Sequence, residues 1–423
     1  MISKISILFF TIISLADAPI NHIPASMVPA TAPIMATTTA IVAVEQLTEK
    51  EKPALAFTGV TPITTSADCN NTDCVYPVGY SYWKNMNNHV GQPEISIFIG
   101  LKHEYGGPTL YKFNKSNGEV RKVGPLFDAS SPFSYSTTEG WYWSAKSPQE
   151  IYVSNAGTKL FRYNVDTKQF ETVLDIANRL ESNRYIWQTH SSDDDRVHAG
   201  TIRDSANYQS LGCFAYQEDR DTFSYYPAKK NLDECNLDGS GRWLVMLDGE
   251  DNRIIDLDTG TEQVLLDKEG ALGHLDMGYG YMVGSDNYNL EPNATVLIKF
   301  PLTNLNRPAG ITVHVNRDWD TAEVNHISHQ NRRPGPPENQ FACGSNADTV
   351  GNNKIVCFKL DGSLARVEVA QVGTDLAAYG GVDSYSKFPK GNLDITGGYF
   401  FWTSNSGGSR LDAYIVKVLD FRQ

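Results

Sequence analysis

The chain is short of positive charge and, beyond its first residues, of long apolar runs. Only 36 Lys and Arg stand against 49 Asp and Glu, a formal net charge of −13 over 423 residues. Phosphate binding needs clustered cations that displace counterions, so this deficit argues against a nucleic-acid partner. No later segment holds the roughly 18 uninterrupted apolar residues of a membrane span. Gly-x-Ser-x-Gly, the phosphate loop, the dinucleotide fingerprint and His-Glu-x-x-His are all missing, which sets aside serine-hydrolase, kinase and nicotinamide chemistry. No Cys-x-x-Cys occurs either, which weakens a zinc reading of the cysteines.

The apolar run that is present comes first. Residues 1–18 read as a signal peptide, with Lys4, an apolar stretch to Leu15 and the small-x-small sequence Ala16-Asp-Ala18. Residues 19–66 are rich in Ala, Thr, Pro and Val with little periodicity, the composition of a flexible linker; an ordered first strand is the alternative. Residues 67–423 are then the folded domain. A secreted, extracellular or periplasmic protein follows, and its six cysteines suit an oxidising compartment. Proximity alone pairs Cys69 with Cys74, Cys213 with Cys235 and Cys343 with Cys357, one of about 15 connectivities. Asn70, Asn114 and Asn293 begin glycan-acceptor triplets.

What fills the domain is a repeat. Asn236-Leu-Asp238 leads to an apolar strand opened by Trp243, His274-Leu-Asp276 to one opened by Tyr281, and Asn392-Leu-Asp394 to one opened by Tyr399. In each, a polar residue lies seven positions before the aromatic. The same frame fits His190 before Val197 and, more loosely, His89, Tyr135 and His326. Successive anchors lie 46, 55, 46, 38, 52 and 66 residues apart, near the length of one four-stranded propeller blade. A second signal, an Asp or Asn turn between two alternating strands, recurs near 117, 167, 220, 259, 303, 361 and 420. Both phases predict an all-β, seven-bladed β-propeller, a fold that hosts many unrelated activities.

In a propeller the first strand of each blade lines the axis, so equivalent positions before it converge. His89, Tyr135, His190, Asn236, His274, His326 and Asn392 are therefore expected around a common funnel, either as a functional ring or as caps that tie neighbouring blades. His190-Ser-Ser-Asp193-Asp-Asp195 offers a general base with a carboxylate to fix its tautomer; an acidic turn or a partial calcium loop are the plainer readings. His326, His329 and Gln330, with His274 from the blade before, form a candidate set for a divalent ion such as Mn²⁺, Zn²⁺ or Ca²⁺. Arg203 and Arg332 could reach an acidic ligand, and Tyr142, Tyr279, Tyr288 and Trp402 supply aromatic surface that packs between blades or stacks on sugars.

These features resemble the β-propeller polysaccharide lyases, with oligogalacturonate lyases and ulvan-type uronate lyases as the nearest members. The resemblance covers the architecture from roughly residue 80 to 420. It implies a histidine that takes the proton next to a uronate carboxylate while a metal or Arg neutralises that carboxylate. His190, Arg203 and Tyr142 would be the catalytic residues, and His89, Asn236, Asn392 and Arg332 would bind substrate. His274, His326, His329 and Gln330 would be similar to the metal set. The order and spacing around His329 depart from the oligogalacturonate lyase pattern. The expected partner is an oligo- or polysaccharide and the expected state a monomer. A non-catalytic propeller binding glycans or proteins is the rival. A glycoside hydrolase using two of Asp233, Glu234, Asp276 and Asp394 is a further one.

Overall fold

The computed structural model describes residues 59–77, 79–133, 140–286, 294–303, 310–316, 324–347, 353–381 and 385–418. The signal peptide, most of the linker, Tyr135, Tyr288 and Asn293 lie outside them. Among the described residues, seven antiparallel four-stranded sheets follow one another along the chain. They are the blades of the predicted propeller.

The blades begin with the inner strands Met86–Asn87, Tyr142–Trp143, Arg184–Ser191, Leu232–Leu237, Leu272–Met277, His326–Ser328 and Asn392–Leu393. Alternation within each blade sends side chains to the interfaces with its neighbours, where Trp, Tyr and Phe fill the space. Trp83, Trp141, Trp143 and Trp402 are among the largest fully buried side chains. The recurrent Asp has a local job. Asp238 accepts backbone N–H bonds from Arg242 and Trp243, and Asp394 accepts them from Thr396 and Tyr399. Each carboxylate thus pins the hairpin from inner to second strand, while Gly241 and Gly397 take the positive φ (76° and 72°) that the turn demands.

One boundary differs from the sequence reading. Val60–Pro62, inside the stretch read as linker, is the outer strand of the seventh blade and pairs antiparallel with Asp412–Lys417. The turn expected near 420 lies outside the described residues, and the fourth strand of this blade comes from the other end of the chain. Thr64 fastens this closure by donating to the Asp412 carboxylate at 2.9 Å and accepting from the Ala413 amide at 2.9 Å.

The disulfides are those that proximity suggested: Cys69–Cys74, Cys213–Cys235 and Cys343–Cys357. The second joins blade 3 to blade 4, and the third links directly paired neighbouring strands. They fit an extracellular protein. Among the described residues no helix is long and apolar enough to cross a membrane.

Candidate functional site

Register, not sequence spacing, defines which residues are equivalent around the axis. The residue opposite the third position of each second strand is Asn87, Tyr142, His190, Asn236, Asp276, Ser328 or Asn392. His274 and His326 fall two residues earlier on their strands, level with Gln188, Glu234 and Lys390. Two rings are stacked along the axis, and the seven-residue frame had merged them.

The axis itself is filled. The segment Tyr80-Ser-Tyr82-Trp83, which precedes the first inner strand, touches the inner faces of five blades. Trp83 donates its indole N–H to the Thr189 carbonyl at 2.9 Å, and its ring stacks on His190 at 5.3 Å. The Tyr82 hydroxyl donates to Glu234, and its carbonyl accepts from Gln330 at 2.8 Å. Tyr80 packs against His274 and His326, and its carbonyl accepts from Asn392 Nδ2 at 2.8 Å. Only a plug on the axis can meet blades 3 to 7 together.

A cavity of about 680 Å³ opens beside this plug, at the end where the inner strands begin. Tyr80, Tyr82 and Tyr385 supply its aromatic wall, with Gln188 and Arg203 from blade 3. Asp233, Glu234, Glu250 and Asp267 contribute carboxylates, and His274 with Asn325 completes the far side. Backbone bulges at Trp187–His190, Leu232–Cys235 and Leu272–Leu275 interrupt three successive inner strands. They turn Gln188, Glu234 and His274 toward the opening, as bulges beside functional clefts do.

Within the cavity His274 holds its Nδ1 2.8 Å from Asn325 Oδ1. Its ring stacks on His326 at 4.9 Å. His326 is buried behind it, and neither of its ring nitrogens has a hydrogen-bond partner among the described residues. Burial, then the nearby His274 and Lys390, hold that imidazole well below the usual histidine range. Arg203 lies 5.0 Å over the Trp187 ring with its Nε toward Ser210. Glu234, 4% exposed, takes a proton donor on each oxygen, Tyr82 on one and Asn236 on the other.

The other expected site residues do not line this cavity. His190 is sealed under Trp83; burial, with Arg332 and Lys84 near, pulls its pKa down to about 3. Asp193, expected to orient His190, instead pairs with Lys84 at 3.2 Å and with Arg332 at 3.0 Å. Burial alone would raise its pKa, but those two cations hold it below the ordinary value. Tyr142 is buried between blades, stacked on Tyr152 at 5.2 Å and sharing a 2.6 Å hydrogen bond with Ser191. Asn236 and Asn392 fix Glu234 and the plug. His89 follows its inner strand, at the end of the blade away from the cavity.

The proposed metal set divides in the same way. His274 and His326 come together at the beginning of their strands, whereas His329 and Gln330 follow theirs. His329 has Nε2 2.6 Å from the Tyr281 hydroxyl and Nδ1 3.1 Å from the Phe341 carbonyl, so both ring nitrogens are engaged. Gln330 donates to Asp276 at 2.8 Å as well as to Tyr82. Asp276, beside Arg332 at 3.5 Å, is nonetheless pushed up to about 6 by burial. Among the described residues no group of three or more His, Cys, Asp or Glu could hold a metal ion. The four residues do not fit one ion.

Sequence reasoning missed the plug, which has no counterpart in the other repeats, and Lys390. The Lys390 ammonium sits 3.2 Å from the centre of the Tyr385 ring and 5.6 Å from that of Tyr80. The signal was there: Lys390 precedes Asn392 by the two residues that separate Glu234 from Asn236.

Solved structures share the architecture. An oligogalacturonate lyase in complex with manganese superposes with a TM-score of 0.62 at 10% identity, covering 86% of this chain and 95% of that one. An oligogalacturonate lyase from Vibrio parahaemolyticus gives 0.53 at 12% identity, over 86% and 94%. The WD40 repeats of RRP9 give 0.50 at 9% identity, over 86% and 98%. At such identities the likeness is one of fold. No family model matches the chain, and no curated protein matches it.

Proposed function

We propose that this is a secreted carbohydrate-active enzyme that cleaves uronate-containing glycans by β-elimination in the cavity beside the axial plug. One observation carries the reading: a histidine with an assignable tautomer shares the cavity with an arginine. Because Asn325 Oδ1 accepts from Nδ1 of His274, the lone pair is left on Nε2, the form a general base requires. The base is thus His274, not the sealed His190.

The chemistry balances with groups that line the cavity. Nε2 takes the proton from the carbon next to the uronate carboxylate. The electrons of that C–H bond become the new C=C bond as the glycosidic C–O bond breaks. The imidazolium returns its proton to the departing oxygen. Arg203, a permanent cation, lines the same cavity and neutralises the carboxylate as enolate character develops. Incubation with a panel of uronate oligomers should release unsaturated products, read as ultraviolet absorbance, and His274→Ala should not. No absorbance rise from any uronate oligomer would overturn the reading.

A second reading is favoured by the four carboxylates in the lining, Asp233, Glu234, Glu250 and Asp267. They suit hydrogen bonding to sugar hydroxyls, as in a non-catalytic glycan-binding propeller. Saturable binding without product on any glycan would select it.

A further inference from the structure

Tyr385 stands apart from the rest of the lining. Its residue is 51% exposed, yet one face of its ring is covered by the Lys390 ammonium, 3.2 Å from the ring centre on a residue only 4% exposed. The segment that carries the pair is held in place. Lys387 Nζ donates to the Leu376 and Ala378 carbonyls at 3.0 and 2.6 Å. Thr374 Oγ1 donates to the Lys387 carbonyl at 3.3 Å, and Asn405 Nδ2 to the Asp375 carbonyl at 2.8 Å. Phe388 packs at 6.3 Å from Tyr385 and at 5.9 Å from His326, so the segment leads directly to the stacked histidines.

A cation under one face of an aromatic ring draws the π electrons toward itself. The opposite face then carries less negative potential than an isolated tyrosine and accepts an electronegative or anionic group more readily. In a cavity whose lining holds four carboxylates and a single arginine, Arg203, this wall is a second place where an acidic sugar meets little repulsion. Tyr385 and His274 line the same cavity, and the Tyr80 ring stands 5.8 Å from His274 and 5.6 Å from the Lys390 ammonium that backs Tyr385.

We propose that Tyr385, backed by Lys390, is a stacking platform for a second uronate residue, so that the cavity selects acidic oligomers over single sugars. This rests on the reading of the cavity as a uronate-glycan site but not on elimination taking place there. Tyr385 is a specificity-determining residue, not a catalytic one.

The test is binding and turnover of uronate oligomers from dimer to hexamer by the wild type, Tyr385→Phe, Tyr385→Ala and Lys390→Met. Affinity of the wild type should increase with length. Tyr385→Ala should lower affinity for the longer oligomers roughly 3- to 10-fold and leave the shortest unchanged. Tyr385→Phe should behave as wild type. Lys390→Met should erase the preference for uronate over neutral oligomers of equal length. Because Lys390 is buried, that variant is scored only with its melting temperature, whereas the exposed Tyr385 keeps the test alone if Lys390→Met unfolds. The same length dependence in Tyr385→Ala and wild type overturns the proposal. Binding without product in every variant overturns elimination and leaves the platform standing; no uronate binding by the wild type overturns both.

Discussion

His274 and His326, 52 positions apart in the sequence, lie ring against ring at 4.9 Å with planes 25° apart. The outer ring faces the cavity and the inner one is buried against Tyr80 and Phe388. Buried and close to His274 and Lys390, His326 stays neutral, so it adds no charge beside the proposed base.

His274→Ala is expected to lower kcat/KM by about 100- to 10,000-fold, the usual contribution of a general base. His190→Gln, measured on folded protein, should change it little. A loss confined to the His190 variant would reverse the assignment.

Chelator treatment should leave turnover unchanged, since His329 spends both nitrogens on Tyr281 and Phe341. Activity lost on dialysis against a chelator and regained with Mn²⁺ alone would show that the site assembles around an ion after all.

His190→Phe should become progressively more stable relative to wild type as the pH falls from 6.5 toward 3. The unfolded chain protonates histidine near 6.5, while the folded protein resists until about 3, so the unfolded state binds the extra proton throughout that window. Phenylalanine keeps the stacking on Trp83 and has no proton to take up. Melting temperatures across that range check this, and parallel curves for the two proteins would refute it.

A chain beginning at residue 67 should be less stable than one beginning at residue 59. It lacks Val60–Pro62, buried Ile63 and the Thr64 bonds to Asp412 and Ala413. At the usual net worth of a hydrogen bond the loss is about 3 kcal/mol or more. Equal chemical-denaturation midpoints for the two chains would mean that the first strand contributes nothing.

The propeller was legible because each blade must repeat the same hairpins to pack against its neighbours, and the repeat survives in spacing and turn residues. The site was less so. The seven-residue frame counts back from the second strand and assumes a constant turn. Asp238 accepts from Trp243 across a turn that Gly278 and Tyr281 close with fewer residues. The frame therefore equates His274 with Asn236, where pairing equates Asp276 with it. His326 suffers more, because residues 329 to 340 separate its strand from Phe341. Tyr80 to Trp83 belong to no repeat, so nothing in the spacing marks them as the filling of the axis. The metal set divides for a simpler reason: His326 and His329 are near in sequence, but one lies on the inner strand His326–Ser328 and the other follows it.

The Tyr80–Trp83 segment also dictates traffic. Its side chains and carbonyls stand against blades 3 to 7, so the hub of the wheel is stoppered at their level. If the cavity takes a polymer as proposed, the chain would have to offer a terminus or a bowed stretch, because the hub gives it no bore to be pulled through.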